Sequence, residues 1–107
     1  MKFKEYNKFE NWSSQHGYKG KKNKTTFDIR FNERRNVYWI FIEDAVTKIV
    51  FNSLWRAIVF KKEDIESAFK FCEDLANYYK KHRITQISNC ESRIDEFLDT
   101  INIKKDN

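Results

Sequence analysis

The chain has no proline, only two glycines, Gly17 and Gly20, and only two cysteines, Cys72 and Cys90. Turns that depend on proline or glycine should therefore be few, and regular elements long. Two cysteines make no disulfide framework, so a reduced setting is expected. The opening Met1-Lys2-Phe3-Lys4-Glu5 lacks the apolar centre of a secretion signal, which makes a cytoplasmic location the expectation. The longest apolar run, Val37-Tyr38-Trp39-Ile40-Phe41-Ile42, falls far short of the roughly 20 residues a membrane-spanning helix needs.

Constellations that carry catalysis are missing as well. A nucleophilic site needs Ser or Cys beside a base, and His16 and His82 are the only histidines. Cys72 falls on the apolar stripe of a helix, where a small core residue is expected. Cys72, His82 and Cys90 match no zinc spacing. Gly17 and Gly20 lack the strand before and helix after of a phosphate-cradling loop. Glu43-Asp44 lacks a third ligand at a familiar spacing. No catalytic residue, metal site or cofactor is expected, and the protein reads as non-enzymatic.

Aromatic residues are plentiful: ten Phe, five Tyr and three Trp in 107 residues. They suffice for one core despite 35% charged residues, so residues 1–107 should form a single small domain. The run Val37–Ile42 is too short for an ordinary helix and rich in β-branched and aromatic side chains, so it is a strand with two apolar faces. Thr25 to Asn32 alternates, with Thr25, Phe27, Ile29 and Phe31 opposite Thr26, Asp28, Arg30 and Asn32, as a half-buried strand does. Asn32-Glu33-Arg34-Arg35-Asn36 joins these two strands as a hairpin turn. Thr47–Phe51 and Leu54–Phe60 read as a third and a fourth strand.

Phe3, Tyr6, Phe9 and Trp12, each three apart, predict a helix over residues 3–15, with Gly17 as its left-handed stop. Residues 16–24 read as a mobile lysine-rich loop. From Asp64 to Arg83, residues Ile65, Ala68, Phe69, Cys72, Leu75, Ala76 and Tyr79 keep the spacing of one buried helical stripe. Phe71 and Tyr78 lie beside that stripe and need a second partner. Ser88-Asn89-Cys90-Glu91 is a capping box for a short last helix to Ile101, which would supply it. The expected fold is α+β: an antiparallel three- to four-stranded meander, an N-terminal helix, a long helix on the sheet and a short C-terminal helix.

Charge points to a partner. Residues 1–36 hold seven Lys and three Arg against four acids, a surplus larger than the +5 of the whole chain. The expected partner is nucleic acid, bare or within a nucleoprotein complex, held by counterion release. Lys19, Lys21, Lys22, Lys24, Arg30, Arg34 and Arg35 are the candidate phosphate contacts, with Tyr18 as a stacking residue. The skew toward Lys, Asn, Ile, Phe and Tyr suggests an AT-rich coding sequence, as in a low-GC bacterium or its mobile elements. That supports an alternative: a phage- or mobile-element-encoded inhibitor that docks on a host nuclease, of the CRISPR-effector or restriction type. In a third reading the aromatic N-terminal face or an edge strand mates with a second copy to form a homodimer.

Overall fold

The computed structural model describes residues 1–23, 25–44, 49–52, 58–82 and 96–99. Strands β1 (Lys4–Glu10), β2 (Ser13–Lys22), β3 (Thr25–Asn32), β4 (Val37–Asp44) and β5 (Ile49–Asn52) form an antiparallel sheet in sequence order. A two-residue strand, β6 (Phe60–Lys61), pairs with the start of β4, on Val37 and Tyr38. A 3-10 turn at Lys62–Asp64 then leads into helix α1 (Ile65–His82). Residues 96–99 form a further helical turn.

The α+β class is as expected, and the N-terminal helix is not. Residues 3–15 form most of a hairpin, with Glu10 opposite Ser13 across a two-residue turn. Asn11 and Trp12 both take positive φ, 51° and 63°. That is the mirror-image turn whose twist suits a hairpin, where Asn is favoured first and Gly second. Trp12 stands where glycine is expected, so the turn carries no glycine signal.

Gly17 has no positive φ. It stops no helix and lies inside β2, and the expected loop at 16–24 is largely strand. Two further asparagines sit, like Asn11, in left-handed turn positions: Asn23 at φ 52° and Asn36 at φ 55°. Of the expected third strand, Ile49–Phe51 is observed. Of the expected fourth strand, residues 54–57 lie outside the described residues, Ile58 and Val59 are not in strand conformation, and Phe60 opens β6. The capping box Ser88–Glu91 also lies outside the described residues.

Alternation fixes which side chains form the core. Phe27 and Ile29 of β3 and Tyr38, Ile40 and Ile42 of β4 point to one face and are buried there. The α1 stripe meets them with Ala68, Cys72, Leu75, Ala76 and Tyr79. Each large apolar side chain buried fully contributes roughly 1.5–3 kcal/mol. Phe71 and Tyr78 find the partner they need in Phe97, at ring-centroid distances of 5.6 and 5.3 Å. Phe3 enters the same layer by stacking on Phe69 at 4.7 Å. Gly20 makes the room, since a Cβ there would come within 2.9 Å of the Phe3 ring.

Candidate nucleic-acid interface

The same alternation builds the second face of the sheet. β1 contributes Lys4, Tyr6 and Lys8, and β2 contributes Gln15, Gly17, Lys19 and Lys21. β3 contributes Thr26, Asp28 and Arg30, and β4 contributes Trp39 and Phe41. Lys61 of β6 falls on this side, opposite Val37. α1 lies on the other face and the 96–99 turn packs on α1, so among the described residues no element covers this one.

A polar network runs across its centre. Tyr6 and Gly17 are directly opposite each other, and the Tyr6 ring extends over Gly17 toward β3. Its hydroxyl donates to Asp28 Oδ1 at 2.7 Å. Arg30 Nη2 donates to Asp28 Oδ2 at 2.7 Å. Its guanidinium also lies 4.5 Å from the centre of the Phe41 ring. Trp39 meets Phe41 edge-on at 5.4 Å. Asp28 is thereby only 7% exposed. Among the described residues the buried Trp39 indole N–H and Arg30 Nε have no hydrogen-bond partner. Unpaired buried donors cost stability, and such costs concentrate where a surface serves binding.

Burial and the hydrogen bond to Asp28 push the Tyr6 phenol from 10.0 up to about 12. Folding therefore favours the protonated phenol. Its contribution is complete below pH 10 and is lost as pH rises through 12. Tyr6→Phe is expected to cost about 1 kcal/mol at neutral pH, where it removes a half-exposed bond to a carboxylate. It should also flatten the alkaline loss of stability between pH 10 and 12. Urea melts across that range check both effects.

The candidate contacts separate in space. Lys19, Lys21 and Arg30 lie on the open face. Tyr18 lies on the opposite side from these cations, half-buried, packed against the core and edge-on to Phe69 at 5.1 Å. Lys22 also faces α1 and is paired with Glu73. Arg30 is paired with Asp28. Arg34 and Arg35 are exposed in the β3–β4 turn, where the Arg35 N–H donates to Asn32 Oδ1 at 3.1 Å. Asn32, beside that turn, is six residue steps along β3 from Thr26, the partner of Lys21, which is roughly 20 Å of strand. Lys24 lies outside the described residues.

A tighter cluster replaces the expected one. Lys4 and Lys19 are directly opposite on β1 and β2, Lys21 follows on the same face, and Lys2 immediately precedes β1. All four are exposed, and among the described residues none makes an ion pair. Like charges placed opposite each other cost a few tenths of a kcal/mol to about 1 kcal/mol. Lys19 also lies 5.3 Å from the Tyr6 ring, which joins the lysines to the aromatic centre.

Sequence reasoning missed Lys4 and Tyr6 because it placed them on a helix. Trp39 and Phe41 were recognisable as one face of β4, though not as an open one. Among the described residues there is no cluster of His, Cys, Asp and Glu able to hold a metal. No described helix is long and apolar enough to cross a membrane. Cys72 is buried, which pushes its thiol well above its ordinary value and leaves it a poor nucleophile. No protein-family model, curated protein or solved structure matches this chain.

Proposed function

We propose that this is a non-enzymatic nucleic-acid-binding protein that takes a single strand on the open face of its sheet. The observation that carries this reading is the unneutralised cluster of Lys2, Lys4, Lys19 and Lys21 beside Tyr6, Trp39 and Phe41. Lysines there would neutralise phosphates with release of counterions. Partly exposed rings would stack on bases, which is worth about 1–3 kcal/mol per base and tolerates any sequence. A duplex hides its base faces and offers this surface only phosphates, so a single strand fits it better.

Arg34 and Arg35, at the far end of β3, would extend the track to a second phosphate group. Titrating the protein into labelled single-stranded and duplex oligonucleotides of equal length tests the reading by anisotropy. Single strands are expected to bind more tightly, at low salt and with little sequence preference. Equal or weaker binding than duplex would remove the stacking role. No binding to either would shift the reading to docking on a host nuclease or on a protein that carries the nucleic acid.

A further inference from the structure

We infer that the free edge of β1 pairs antiparallel with β1 of a second copy of this chain, with Asn7 on the two-fold axis. This stands on the edge itself and holds whether or not the open face binds nucleic acid. Among the described residues β1 ends the sheet, and β2 alone pairs with it. Six of its seven residues are exposed.

The turn decides which backbone groups are free. In a two-residue hairpin the flanking pair, here Glu10 and Ser13, exchanges both hydrogen bonds, and such pairs then alternate along the ladder. Lys8, Tyr6 and Lys4 thus bond to β2. Glu5, Asn7 and Phe9 turn their N–H and C=O groups outward. A strand so exposed is a template for another.

Side chains then choose the register. For two copies to join like face to like face, the paired residue numbers must sum to an even value. Pairing about Tyr6 sets Lys4 against Lys8 twice. Pairing about Lys8 sets Lys8 against itself. Pairing about Asn7 sets Lys4 against Glu10 at both ends and Lys8 against the Tyr6 ring. It also uses every outward group of Glu5, Asn7 and Phe9, giving six backbone hydrogen bonds. Glu5 is already held by His16 at 3.2 Å and meets only Phe9. Among the described residues the Glu10 carboxylate has only an exposed contact with Lys8, at 3.4 Å, which exchanges at little cost.

In this register the charges of the edge match and do not repel. Lys4 gains the carboxylate it lacks opposite Lys19, and Phe9, 67% exposed in the single chain, gains a neighbouring strand. The open faces of the two copies become one continuous surface, with Lys19 and Lys21 of each copy left free.

Sedimentation across a wide range of concentration tests the pairing. The unmodified chain is expected to move from monomer to dimer as concentration rises. Lys4→Glu and Glu10→Lys should each set like charges against each other and remain monomeric under the same conditions. Mixed in equal amounts, the two variants should form a dimer again, because every pair is then opposite in sign. Hydrogen exchange in the unmodified chain gives an independent reading that needs no variant. The amides of Glu5, Asn7 and Phe9 should slow with concentration, while those of Lys4, Tyr6 and Lys8 are protected throughout. A chain that is monomeric at every concentration, a mixture that stays monomeric, or unchanged exchange at Glu5, Asn7 and Phe9 would overturn the inference.

Discussion

Gly17→Ala is expected to lower stability by about 3 kcal/mol and the melting temperature by roughly 10–20 °C. Gly17 is directly opposite both Tyr6 on β1 and Arg30 on β3. A Cβ there would lie 2.3 Å from the carbonyl oxygen of Ile29, 2.9 Å from the Tyr6 hydroxyl and 3.1 Å from Arg30 Cα. Two of those three atoms are backbone in the middle of a sheet and have nowhere to go. Relief would require β2 and β3 to separate, or Tyr6 to abandon Asp28. Abandoning Asp28 would leave a nearly buried carboxylate with one partner fewer. A large ring opposite a strand glycine covers the gap that glycine leaves, which is the part Tyr6 takes here.

Gly20→Ala provides the contrast. Its nearest neighbours are Phe3 ring atoms at 2.9 and 3.0 Å, with the Lys2 carbonyl at 3.1 Å. A ring near the chain start can rotate away, so the loss should be well below that at Gly17. Thermal melts of the two variants compare them directly. Equal losses would mean that the Gly17 contact yields as readily as a side chain.

The second large effect concerns charge. Lys19→Ala with Lys21→Ala is expected to weaken binding to single strands by one to two orders of magnitude at low salt, with stability nearly unchanged. Both side chains are exposed and without an ion pair among the described residues, so the fold has little to lose. Lys22→Ala should behave in the opposite way. Lys22 is spent on Glu73 on the helix side of the sheet, so its loss should affect stability more than binding.

Legibility in the sequence followed burial. β3 and β4 were readable because one face of each is core and the alternation is sharp, as in Phe27, Ile29 and Phe31 or Tyr38, Ile40 and Ile42. The α1 stripe was readable for the same reason, and so was the need of Phe71 and Tyr78 for another partner. β1 was not, because it lies at the sheet edge beyond the core. Glu5, Asn7 and Phe9 on one side and Lys4, Tyr6 and Lys8 on the other show no apolar period of two. The three-residue spacing of Phe3, Tyr6, Phe9 and Trp12 was then the only period left, and it imitates a helix.

The site suffered from that error. Lys19, Lys21 and Arg30 were identifiable as cations. Their separation from Lys22 and Tyr18 follows only once β2 is known to be a strand, since neighbours then point to opposite faces. Gly17 and Gly20 suggested a loop, whereas their positions are set by the rings of Tyr6 and Phe3 that cross them.

The most direct measurement is the salt dependence of single-strand binding for the unmodified chain and the Lys19→Ala, Lys21→Ala double variant. Each phosphate neutralised on a single strand contributes about −0.7 to the slope of log affinity against log salt. Two lysines on the open face should therefore account for about 1.4 of that slope, and the double variant should be shallower by that amount. An unmodified chain that does not bind, or a double variant with the same slope and affinity, would mean that nucleic acid does not lie on this face.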